Sequence, residues 1–199
     1  HLYNLLNQLG EADADTIAFT RNAPQFHNCH FTELPIGEYD FSLMRHFLFD
    51  FAELFRFEAL ANSSYQPLAQ VAKKFKGEIK YHTMHANTWV FQLGHGNEES
   101  NERMQNVLNK YWDIALGMFE EGPAEDLLIS EGIFIGEKAL KVKWLEAVVP
   151  LLEKSNLTIP SENTWKPCNG GRTGEHTAHL QPLLDEMTEV YAIDPSADW

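Results

Sequence analysis

Positive charge is scarce in this chain. Fifteen Lys and Arg stand against 29 Asp and Glu among 199 residues, a formal net charge of −14. A nucleic-acid phosphate backbone is met with Lys and Arg, so this balance excludes a nucleic-acid binder and disfavours an anionic membrane surface. Cysteine is almost missing: Cys29 and Cys168 are too few for a disulfide framework and suit free thiols in a reducing, cytoplasmic compartment. No apolar run is long enough to span a bilayer, and no signal-peptide pattern opens the sequence. Internal repeats and low-complexity linkers are also lacking, which predicts a single domain over residues 1–199. Three chemical signatures are absent as well. There is no Gly-x-Ser-x-Gly elbow, no glycine-rich phosphate loop after a strand, and no Glu-x-x-His.

What is present is apolar and periodic. Hydrophobic residues make up 44% of the chain and aromatics 12%, which argues against disorder. The opening His1 to Gly10 reads as the end of a helix capped by Gly10, so further residues are expected upstream. A short helix is expected from about Thr16. Asp40 is a good N-cap for a helix running to about Ala61, whose six phenylalanines (Phe41, Phe47, Phe49, Phe51, Phe55, Phe57) place it in the middle of the structure. Ser64 caps the next predicted helix, with Pro67 in its first turn and Gly94-His-Gly96 at its end. Its apolar stripe is Leu68, Val71, Phe75, Ile79, Ala86, Trp89, Val90 and Leu93. Asn97 opens another helix, with Glu98 and Glu99 favourable in its first turn. Further helices are expected from Ala139 to Leu152, disturbed at Pro150, and from His176 to Tyr191, followed by a Pro195–Trp199 tail. Gly132–Gly136 is the one candidate strand. The fold class is therefore all-α, a helical bundle.

Two helical faces carry possible chemistry. His46, Asp50 and Glu53 share one side of the first long helix; Glu78, His82 and His85 share one side of the second. A short loop makes the two helices antiparallel, so the sets can meet. Asp50, Glu78 and His82 have the donor types of an iron or manganese site. The competing reading is a buried, metal-free cluster in which the Asp50 and Glu78 carboxylates satisfy His82 and nearby donors inside the bundle. Inward Glu-x-x-His motifs mark di-iron carboxylate bundles; here the string is Glu78-Ile-Lys-Tyr81, with His82 one place late. His27 and His30 flank Cys29 without two further zinc ligands, and His176 and His179 have ordinary capping uses. Lys73, Lys74, Lys76 and Lys80 form a local basic cluster, read as a solvated face.

Several strings together resemble a known family. They are Asp15-Thr-Ile-Ala-Phe-Thr-Arg21, Phe47-Leu-Phe-Asp50, Glu78-Ile-Lys-Tyr-His82, Gly96-Asn-Glu-Glu-Ser100, Gly174-Glu-His-Thr-Ala-His-Leu180 and Leu184-Asp-Glu-Met187. In this order, over nearly the whole chain, they are similar to the structural subunits (PaaC) of the bacterial ring 1,2-phenylacetyl-CoA epoxidases, ferritin-like proteins of phenylacetate catabolism. The resemblance implies a ferritin-like bundle, with N-terminal helices of the family missing here. It implies a non-catalytic subunit of a monooxygenase, without catalytic, cofactor-binding or metal-binding residues of its own. It further implies a hetero-oligomer with the di-iron catalytic subunit PaaA and further subunits, with a homodimer possible alone. A reductase with flavin and an iron–sulfur cluster would deliver electrons from NADPH. Asp50, Glu78, Tyr81 and His82 would then be a vestigial polar cluster. Two other readings stay open: a metal-binding oxygenase in its own right, and an acyl-CoA-binding module using the lysines near Lys73.

Overall fold

Eight α-helices account for the architecture of the computed structural model, which describes residues 1–195. They are α1 (Leu2–Gln8), α2 (Ala14–Phe19), α3 (Tyr39–Leu60), α4 (Gln66–Gly94), α5 (Glu98–Leu116), α6 (Glu125–Ser130), α7 (Glu137–Lys154) and α8 (Leu180–Thr188). Among the described residues there is no strand. The expected all-α class and the four long central helices are those of a ferritin-like bundle. The tail expected after Pro195 lies outside the described residues.

The phenylalanine-rich α3 is the axis. It packs on α4, α5 and α7, and it buries Phe41, Leu43, Met44, Phe47 and Leu48. Phe49, Phe51 and Phe55 add partly buried contacts. Facing it, α5 contributes Met104, Leu108 and Trp112, and α7 contributes Leu140, Trp144, Val148 and Leu152. Both series follow the three-and-four spacing of one helix face. Trp144 stacks on Trp112 with ring centroids 5.3 Å apart, and its indole N–H donates to the Leu48 carbonyl at 2.9 Å. That bond lets a fully buried tryptophan sit between α3 and α7 without an unpaired donor.

Local expectations were met unevenly. Asn97 caps α5 through Ser100, as its sequence predicts. Pro150 sits inside α7 without ending it. The expected cap roles of Asp40 and Ser64 do not hold. Glu38 and Tyr65 stand at those N-caps, while Asp40 accepts from Arg103 at 2.9 Å and Ser64 donates to the Glu131 carbonyl. The Gly132–Gly136 stretch is a loop, not a strand. Gly132 and Gly136 both take positive φ, and the Ile133 N–H turns back to Leu128. The last helix begins only at Leu180, because His176 and Thr177 are committed to a loop contact described below. No helix is long and apolar enough to cross a membrane among the described residues.

Candidate functional site

The face where α3 meets α4 brings only part of the predicted set together. Asp50 projects from α3 into a cavity of about 420 Å³ that is also lined by His46, Tyr81, His82 and His85. His46 Nδ1 stands 3.5 Å from Asp50 Oδ2, yet no hydrogen bond is made to that buried oxygen among the described residues. Burial pushes the Asp50 carboxyl above the usual carboxylate range, partly opposed by the fields of His46 and His82. Glu78 stays outside the cavity and is exposed, as are Tyr81 and His82. Tyr81 is 63% exposed.

The interior cluster of Asp50, Glu78, Tyr81 and His82 is therefore corrected by the structure: Asp50 alone is largely buried. The reason is helical phase. The seam that α4 presents to the bundle is Ala69, Ala72, Thr83, Ala86 and Val90, a narrow stripe of small residues. At 3.6 residues per turn, Tyr81 falls opposite this seam and Glu78 about a third of a turn from it. The donor set does not fit a di-iron centre. No group of three His, Cys, Asp or Glu is placed to hold a metal ion among the described residues.

Charge is instead buried at the other end of α3, where sequence signals are weak. Arg56 reaches Glu137 at the start of α7 with two guanidinium nitrogens, Glu53 at 3.1 Å and the Met118 carbonyl at 3.3 Å. Arg172 joins from the C-terminal loop, 3.2 Å from Glu137 and 3.0 Å from the Met118 carbonyl. Glu125 accepts the backbone N–H of Glu137. Burial opposes the charge on Arg56, but bonds to Glu137 and the fields of Glu137 and Glu53 more than offset it and raise its pKa. Burial pushes the Glu53 carboxyl up, against the opposing pull of Arg56. A lone cation between Phe55 and Phe57, three residues after Glu53, was the available signal; its partner Glu137, about eighty residues downstream, was not legible.

Two further arrangements frame the α3 surface. The loop before α3 and the C-terminal loop interlock: His27 Nδ1 lies 3.1 Å from the Arg172 carbonyl, and His30 Nε2 lies 2.8 Å from that of Glu175. Each of these histidines turns one ring nitrogen to a backbone carbonyl; Cys29 between them is a buried free thiol and Cys168 a half-buried one. Alongside, a cleft of about 970 Å³ runs between residues 31–36, α3 and α8, with Arg45, His46, Asp50, His179 and Glu186 at its polar edges. The lysine face of α4 is partly engaged: Lys76 pairs with Glu58 at 3.3 Å, and Lys74 lies beside His1.

Similarity to known proteins covers the entire length of the bundle. The sequence model of the phenylacetic acid catabolic protein family matches residues 1–199. The chain is 32% identical over 190 residues to the C subunit of the 1,2-phenylacetyl-CoA epoxidase of Escherichia coli, covering 96% of this chain and 76% of that protein. It is 27% identical over 120 residues to the A subunit of the same organism's 1,2-phenylacetyl-CoA epoxidase, covering 57% of this chain and 38% of that protein. A match of the whole chain to one family, joined to an all-helical bundle built on α3, makes this chain a member of the phenylacetic acid catabolic protein family.

Proposed function

We propose that this chain is the non-catalytic, structural subunit of a multicomponent ring 1,2-phenylacetyl-CoA epoxidase, working in the cytoplasm in aerobic phenylacetate breakdown. One observation carries the reading: the identity to the C subunit runs through almost the whole chain, whereas that to the A subunit stops at 57% of it. The site residues agree in kind. Among the described residues the α3–α4 cavity holds one carboxylate, Asp50, while Glu78 stands exposed outside it, and a di-iron centre in a helical bundle needs several inward carboxylates.

In this role the di-iron centre belongs to a PaaA-type partner, and electrons reach it from NADPH through a flavin and iron–sulfur reductase. This chain contributes a rigid bundle and a surface, and its residues carry no reaction step.

Co-expression with a PaaA-type chain tests the proposal. The expected result is a stoichiometric complex whose iron and ring-epoxidising activity are lost with the partner. Retention of iron and oxygenase activity by this chain alone would overturn the proposal. Titration of the isolated chain with phenylacetyl-CoA provides the third arm: saturable binding without the partner would mark an acyl-CoA-binding module instead.

A further inference from the structure

A buried imidazole in the C-terminal loop has two acceptors and no spare donor. His176 Nδ1 lies 2.7 Å from Glu33 Oε1, and its Nε2 lies 3.0 Å from the Phe26 carbonyl oxygen. A neutral imidazole carries one N–H and satisfies one such contact, whereas the imidazolium satisfies both. Glu33 is not the missing donor. Its Oε1 also accepts from Asn28 Nδ2 at 3.0 Å, and its Oε2 accepts the Thr177 backbone N–H at 2.8 Å. Both carboxylate oxygens are thus turned towards donors, in a side chain with no exposed surface. We propose that His176 and Glu33 form an imidazolium–carboxylate latch whose protonation holds α8 as the wall of the α3 cleft.

The position of the latch gives it this leverage. Upstream, residues 170–175 are pinned independently of it. Glu120 accepts the backbone N–H groups of Gly170 and Arg172, Arg172 is tied to Glu137 and Met118, and His27 and His30 bind the carbonyls of Arg172 and Glu175. Within this segment Gly174 has φ +90, and a β-carbon there would press on the Pro24 carbonyl oxygen, a backbone state suited to glycine and to a change of direction. Downstream, three bonds to the loop before α3 converge on Glu33 and Phe26, two from His176 and one from Thr177. Beyond them α8 is held by apolar contact through Leu180 and Leu184 and by Phe19 stacked on Tyr191. His179, Leu183, Glu186 and Met187 of this arm line the cleft. Charged or titratable groups around the same seam are His27, His30 and Glu33 from the loop before α3, Glu120 from the turn after α5, and Arg172, Glu175 and His179 from the C-terminal loop.

Loss of the His176 proton leaves one acceptor facing a bare nitrogen in a buried site, and α8 is released while the 170–175 clamp stays closed. This holds whether or not the chain serves an epoxidase. Nitrogen-15 spectra of the wild-type imidazoles at about pH 6 are the direct test, because imidazole protonation falls in this range. Both His176 ring nitrogens are expected to carry protons; a neutral tautomer there would overturn the proposal. Amide exchange over residues 178–190, corrected for its intrinsic rate, should lose about tenfold in protection between roughly pH 6 and pH 9, with residues 170–175 unchanged. Protection independent of pH would also overturn it. Glu33→Gln should abolish the pH dependence, and failure of that variant to fold leaves both wild-type measurements decisive.

Discussion

Asp50 is a carboxylate in the wrong solvent. Its side chain is 13% exposed, one oxygen lacks a hydrogen bond, and burial has raised its pKa against the pull of His46 and His82. A raised carboxyl pKa favours the fold below the unfolded value, and this contribution is lost as pH rises through the folded value. Asp50→Asn removes the charge at nearly constant volume, so it should raise thermal stability near neutrality by about 1 kcal/mol and flatten the loss between mildly acid and neutral pH. Thermal melts of the pair at several pH values check this. Arg56 is the opposite case, a charge that the fold has enclosed and fully engaged. Arg56→Met leaves Glu137 and Glu53 facing one another with Arg172 as the remaining cation, and should cost about 3–5 kcal/mol in chemical denaturation. Neither role was legible from local sequence. Periodicity put both Asp50 and Glu78 on inward faces, which holds for Asp50 and fails for Glu78, because hydrophobic spacing says nothing of which neighbours arrive. Arg56 and Glu137, like Glu33 and His176, meet only through the tertiary fold.

Among the elements, α4 shows what periodicity can miss. Its large apolar residues suggested a wide buried stripe, yet Trp89 is 43% exposed, while alanines, Thr83 and Val90 make the seam. Small residues let α3 and α4 approach closely, and size, not hydrophobicity, selected the face. The same logic governs its end. A β-carbon on Gly94 would collide with the Ser155 carbonyl oxygen, so the last turn of α4 rests directly on the backbone after α7. Gly94→Ala should therefore cost about 1–3 kcal/mol although alanine is the better helix former by about 1 kcal/mol. Gly77→Ala, in open space on the same helix, should be neutral or stabilising. Equilibrium unfolding of the two variants separates close packing from propensity. By contrast, α5 was legible almost in full, because its capping residue, acidic first turn and apolar face all point one way.

At the scale of the whole molecule, 29 acids and 15 fixed cations set a self-repulsion that the bundle carries at neutral pH. Lowering the pH towards the isoelectric point of about 5.0 relieves it. Asp50 and Glu53, both raised by burial, push the same way, since their protonation favours the folded state. Glu33 works against them. Burial alone would raise it, but bonds from His176 and Thr177 outweigh that and hold its pKa below the ordinary value. Its stabilisation is present above the unfolded carboxyl value and is lost as pH falls through the folded one. The sum places maximum stability on the acid side of neutrality, at about pH 5–6, with stability falling below about pH 4 as Glu33 protonates. Added salt should then raise the melting temperature near pH 8, where repulsion is strong, and change it little near the isoelectric point. A stability maximum above neutrality, or a salt effect equal at both pH values, would show that surface repulsion is not the term that governs this bundle.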